Sequence, residues 1–100
     1  MTKYLITYHG ASVPSDLDVI EKAKAAFDQW LQEAGKAIID PGAPTRMVEQ
    51  VSNAGSPADV EIGGYSILEA SSKEEAVRIL KSHPFVERGG TLQVNELMAI

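Results

Sequence analysis

The chain has no cysteine. That excludes disulfides, thiolate nucleophiles and Cys-based zinc sites, and it leaves the redox compartment unmarked. Positive charge is scarce as well: nine Lys and Arg stand against fourteen Asp and Glu, a net of −5. Lys22, Lys24, Lys36, Arg78 and Lys81 are interleaved with acids rather than gathered into a patch. Neither nucleic acid nor an anionic membrane is therefore an expected partner. No stretch approaches the roughly 18 apolar residues of a membrane span. The apolar run in the N-terminal "MTKYLITYHG" is too short for a signal-peptide core, and no small-residue cleavage pattern follows it, so a cytoplasmic location is expected. There are only two histidines, His9 and His83, with no HxH, HExxH or paired-carboxylate spacing near either. No metal site is expected, and no cofactor. Gly63-Gly64 precedes a strand pattern rather than a helix, so it fails as a phosphate loop.

What is present suits one small domain over residues 1–100, with an apolar share of 44 %. "KYLITY" (3–8) is β-branched and aromatic, as a first strand requires. Ser15 is placed to cap a helix, with Asp16 and Asp18 in its first turn. Leu17, Ile20, Phe27, Trp30, Leu31 and Ala34 then recur on one helical face, and Gly35 stops the helix. "KAIID" (36–40) reads as a short second strand ended by Pro41 and Gly42, with "RMVEQV" (46–51) as a further extended or irregular piece. Residues 52–63 have loop composition, and a loop of that length is a functional flap or a flexible excursion.

"GYSILEA" (64–70) reads as the third strand. Ser72 and Glu75 fit a capping box, opening a helix whose inner face holds Ala76, Val77 and Leu80 and extends to His83. Pro84 cannot continue it, and Gly89-Gly90 permits a tight turn into "TLQVNELM" (91–98), where Leu92 and Val94 alternate with polar residues. The order is βαββαβ, an α+β ferredoxin-like sandwich with two helices on one face of a four-stranded antiparallel sheet. Both alternating sets of the first strand are largely apolar, so the second face is expected to be buried too, in a homodimer.

The ordered segments "WLQEAGKAIIDPGAPTRMV", "GGYSILEASSKEEAVRILKSHPF" and "GGTLQVNELM" cover more than half of the chain and resemble the YCII-related family of small proteins. The resemblance implies a protomer that pairs sheet to sheet as a dimeric α+β barrel. It also implies enzymes among the relatives, some thought to use a His–Asp pair with the His on the first helix and the Asp near its end. This chain departs there: Lys24 and Glu33 fall at about those positions and lie on roughly opposite sides of a helix. That mechanism does not transfer.

His83 is the foremost candidate for acid/base chemistry, because imidazole titrates near neutrality. The competing reading is a helix-end histidine held by the dipole and a carbonyl. Asp40, before Pro41-Gly42, is the candidate to orient it, against a role in turn geometry. Tyr8, His9, Arg46 and Tyr65 are candidate ligand-binding groups. For these the competing readings are strand packing for the tyrosines, a solvated loop for His9 and a surface ion pair for Arg46. The function expected is a small-molecule enzyme using acid/base chemistry in a pocket between sheet and helices. The alternative is a non-catalytic ligand-binding or accessory module.

Overall fold

The first strand, β1 (Thr2–His9), sits inside the sheet, and its alternation sets the layout of the molecule. The structure is a computed structural model and describes residues 1–10, 16–53, 55 and 60–100. β1 pairs antiparallel with β3 (Gly64–Ala70) on one side and β4 (Thr91–Glu96) on the other. β2 (Ile38–Pro44) adds to β3, giving the order β2-β3-β1-β4. With α1 (Leu17–Ala34) between β1 and β2, and α2 (Lys73–Leu80) between β3 and β4, this is the expected ferredoxin-like βαββαβ fold.

Register places Tyr4 beside Leu68, Ile6 between Ser66 and Val94, and Tyr8 between Gly64 and Leu92. Every second residue of a strand shares a face, so these form one side of the sheet. Trp30 of α1 and Ala76 and Leu80 of α2 complete the core upon it. Ile6 and Leu68 are fully buried, each worth about 1.5–3 kcal/mol of hydrophobic stabilisation. The opposite face carries Leu5, Thr7, Tyr65, Ile67 and Gln93; half-buried Leu5 and Ile67 lie outside the core cluster.

The helix starts differ in detail from expectation. Asp16 caps α1, its carboxylate accepting the Asp18 N–H at 2.8 Å, while Ser15 lies outside the described residues. Phe27, Leu31 and Ala34 pack on the core with Trp30, whereas Leu17 and Ile20 are exposed. Gly35, at φ +59°, ends α1 and leads through a 3-10 turn into β2. At α2 the expected cap is present, with Ser72 Oγ accepting the Glu75 N–H at 3.1 Å. The Glu75 carboxylate takes the Ser71 hydroxyl, and this bond lowers its pKa.

Two segments depart from the sequence reading. β2 does not end at Pro41 but runs on to Pro44, through register shifts after Ile38 and after Asp40. An edge strand tolerates proline because no second neighbour needs its N–H. The second helix ends at Leu80, short of His83; Pro84 instead opens a separate short helix, α3 (Pro84–Glu87). Residues 46–51 have no regular structure, and of the expected 52–63 loop, residues 54 and 56–59 lie outside the described residues. Among the described residues no helix is long and apolar enough to cross a membrane.

Candidate functional site

His83 has extended backbone (φ −65°, ψ 131°) and is the N-cap of α3. Its Nδ1 accepts the Phe85 N–H at 3.0 Å, a bond that satisfies one of the free donors of a helix start. The expected dipole contact at a helix C-terminus is thus replaced by a capping contact at an N-terminus, because Pro84 suits the first helical position and not the continuation of α2. Proline, cap and glycine act together here. Gly89, at φ +90°, turns the chain, and a Cβ at Gly90 would stand 2.3 Å from the Phe85 ring.

The His83 ring is 2 % exposed. Trp30 lies 4.3 Å from it between ring centroids, Tyr8 5.1 Å and Phe27 5.5 Å. Burial in this aromatic box, helped by the Arg88 charge, lowers its pKa to about 4. The imidazole is therefore neutral near pH 7 and carries one proton. The Phe85 N–H can only donate, so that proton sits on Nε2.

From there the direction of every bond follows. Nε2–H donates to the Tyr8 hydroxyl oxygen at 2.8 Å. Tyr8 must then donate its own proton to Ser66 Oγ, also at 2.8 Å. Ser66 donates to the Pro41 carbonyl at 2.8 Å, which can only accept. The result is a one-way chain, pinned by a backbone donor at Phe85 and a backbone acceptor at Pro41. It crosses from α3 through β1 and β3 to β2. Burial raises the pKa of Tyr8 above its usual value, with the Ser66 bond opposing that shift.

Tyr8 and His83 lie on the wall of a cavity of about 360 Å³ between the sheet and the helices. Phe27 and Phe85 supply much of the apolar wall, and the Pro41–Pro44 bulge supplies backbone. The bulge approaches closely because Gly42 has φ +75° and no side chain; a Cβ there would meet the Tyr65 carbonyl oxygen at 1.7 Å. Arg88, exposed at the end of α3, also lines the cavity, with its guanidinium carbon 5.6 Å from the Phe85 centroid. Among the described residues no Asp or Glu lines it. The volume is at the low end for small-molecule sites, and a mainly apolar wall with a few convergent polar groups is their usual make-up.

Of the residues singled out from sequence, His83, Tyr8 and Tyr65 line this cavity. Asp40 is not part of the lining. One of its carboxylate oxygens accepts the Gly42 N–H at 2.8 Å and the other the Tyr65 hydroxyl at 3.4 Å, which is bulge geometry. No hydrogen bond joins Asp40 to His83. His9 stands outside the cavity, its Nδ1–H donating to the Glu61 carbonyl at 3.1 Å and its Nε2 accepting from Thr7 at 2.8 Å. Arg46 is exposed and away from the lining. Among the described residues no group of three or more His, Cys, Asp or Glu is placed to hold a metal ion.

Ser66, Phe85 and Arg88 were not singled out from the sequence. Ser66 could have been suspected, as a small polar residue on the core face of an otherwise apolar strand. Arg88 is the one cation between "HPF" and the glycine pair.

No family model and no curated protein matches the chain. Among solved structures it is similar to 5-chloro-2-hydroxyhydroquinone dehydrochlorinase (TftG) from Burkholderia phenoliruptrix AC1100, in complex with 2,5-dihydroxybenzoquinone. The identity is 23 %, the TM-score 0.56, and the match covers 91 % of this chain and 90 % of that one. The likeness is one of fold.

Proposed function

We propose that the cavity is the site of a small-molecule enzyme, in which Tyr8 meets an oxygen of the ligand and His83 positions and polarises Tyr8. The observation that carries this reading is the Nε2–H of His83 donating to the Tyr8 oxygen at the cavity wall. Rotation about its C–O bond can turn the Tyr8 proton from Ser66 to a ligand oxygen, while the oxygen still accepts from His83. A hydroxyl that accepts a hydrogen bond is a better donor, so the pair stabilises negative charge developing on that oxygen. His83 is then a positioning residue rather than the acid/base itself, and Asp40 shapes the bulge rather than orienting His83. The structural neighbour's name fits this class, since it is a dehydrochlorinase bound to an oxygenated ring.

A second reading, a non-catalytic binding module, has its own support. Both ends of the hydrogen-bond chain are backbone amide groups, which are too weak to hold a proton as a base does. Binding and chloride release measured with the neighbour's compounds separate the two. We expect saturable binding of 2,5-dihydroxybenzoquinone that weakens at least tenfold in Tyr8→Phe, and chloride release from 5-chloro-2-hydroxyhydroquinone that falls in the same variant. Binding without chloride release supports the second reading for this compound class. Binding unchanged in Tyr8→Phe removes Tyr8 from either.

The chain is further proposed to be YCII-related and to pair through the sheet face bearing Leu5 and Ile67. Half-buried apolar residues outside the core favour that pairing. A sedimentation boundary of monomer mass at micromolar concentration would remove it.

A further inference from the structure

The polar groups that reach the cavity are unequal in kind. Tyr8 offers an O–H and His83 an N–H behind it, and Arg88 offers the only formal charge in the lining among the described residues. Tyr65 also contributes to the lining, while its hydroxyl donates to the Asp40 carboxylate outside it. No carboxylate among the described residues of this wall repels an anion, in a chain whose net charge is −5. Among the described residues Arg88 has no carboxylate partner, and the ion pair found there is Lys73 with Glu74. Its guanidinium instead rests near the Phe85 ring, at the cavity's edge.

The geometry points to a cavity that selects the ionised form of a small hydroxylated ring, a phenolate or enolate, with Arg88 as the residue that determines this preference. This rests on the small-molecule site proposed above and adds the ligand's charge state to it. Ring-sized apolar walls between Phe27 and Phe85 hold the carbon skeleton, and Tyr8 donates to the ionised oxygen. Arg88 at the rim supplies the counter-charge. A guanidinium is weakly hydrated and planar, so it serves here at less desolvation cost than an ammonium. A neutral ring of the same shape loses the attraction to Arg88 and keeps the apolar contact and a weaker bond from Tyr8.

4-Nitrophenol reports this directly, because its anion absorbs in the visible and the neutral form does not. Protein is titrated into the probe at a pH where half is ionised, with 4-nitroanisole as the ring of similar shape that cannot ionise. The anion band is expected to grow on binding, and the anisole to bind more weakly. Arg88→Gln should reduce anion affinity about fivefold, as for a single partly exposed charge, and Arg88→Lys should restore part of it. Arg88 is exposed, so both variants should melt with the wild type, which the same samples can show.

An anion band that shrinks, or 4-nitroanisole binding as tightly, overturns the selection of the anion while leaving the cavity as a ligand site. Anion binding undiminished in Arg88→Gln overturns the role of Arg88. If neither probe binds, this inference falls together with the small-ligand reading beneath it.

Discussion

The ring of His83 is oriented by Phe85, whose backbone N–H reaches Nδ1 at 3.0 Å and leaves Nε2 as the protonated nitrogen. The tautomer thus follows from a helix cap, two residues along the chain. Nitrogen NMR of the labelled imidazole should show a protonated Nε2 and an unprotonated Nδ1 at pH 7. A protonated Nδ1 would reverse every donor in the chain as far as Ser66.

Acid should weaken the fold through the same residue. Burial, with the nearby Arg88, holds His83 to a pKa of about 4, whereas the unfolded imidazole titrates near 6.5. Between those values the unfolded chain takes up a proton that the folded chain refuses. Stability is therefore full above pH 6.5 and is lost as pH falls toward 4, by about 3 kcal/mol in all. His83→Asn keeps a capping acceptor without a titrating ring. It should be less stable than wild type at pH 7 and lack this part of the pH dependence. Urea midpoints for the two proteins that run parallel from pH 7 to 4 would refute the assignment.

Tyr8→Phe removes the acceptor of a buried N–H and the donor to Ser66. Leaving the His83 Nε2–H without a partner should cost about 1–3 kcal/mol, well beyond the loss of an exposed hydroxyl. Chemical denaturation measures it. A change within a few tenths of a kcal/mol would mean that water reaches the imidazole in its place.

Two glycines with positive φ should respond unequally to alanine. At Gly35 nothing lies within 4 Å of a new Cβ, so Gly35→Ala should cost only the backbone strain of its positive-φ conformation (φ 59°, ψ −127°), about 1–3 kcal/mol. At Gly42 the Cβ would stand 1.7 Å from the Tyr65 carbonyl oxygen, and the backbone itself must move. Gly42→Ala should therefore be the more destabilising of the pair in a thermal melt, and should also weaken ligand binding by shifting the Pro41–Pro44 wall. Equal melting points would contradict the close approach of β2 to β3.

Trp30→Phe should be tolerated better than Trp30→Ala. The former loses the indole N–H bond to the Ile79 carbonyl at 3.3 Å and some volume, while the latter opens a cavity under the His83 ring. Expected costs are about 1 kcal/mol for the hydrogen bond and about 3–5 kcal/mol for the full truncation. In Trp30→Ala the His83 pKa should also rise from its depressed value as water enters, which proton NMR follows.

The fold was legible in the sequence because its signals are local. Period-2 alternation in β1 and β3, helical spacing up to Trp30, and the Ser72 cap each name an element without help from the rest of the chain. β2 was misread because proline and glycine normally end a strand. What carries β2 past Pro41 is tertiary: a Ser66 hydroxyl for the Pro41 carbonyl and a close approach that Gly42 alone permits. His83 was legible as a residue to watch, but its role was not. The partners that settle its tautomer are a backbone amide and a tyrosine 75 positions away, and no periodicity encodes that pairing. For Asp40 the turn reading was legible from the adjacent Pro41-Gly42, and the bonds it makes are to the Gly42 N–H and the Tyr65 hydroxyl.

The position of β2 at the rim of the sheet has a consequence for solubility. An open strand edge is a template on which a second chain can add, and long flat edges are where aggregation begins. β2 is interrupted by bulges, and two of its seven residues, Pro41 and Pro44, have no N–H to offer an incoming strand. The segment that shapes one wall of the cavity thereby also makes this side of the sheet a poor place for fibrils to start. Replacing both prolines would be expected to cost the protein its shelf life before its fold.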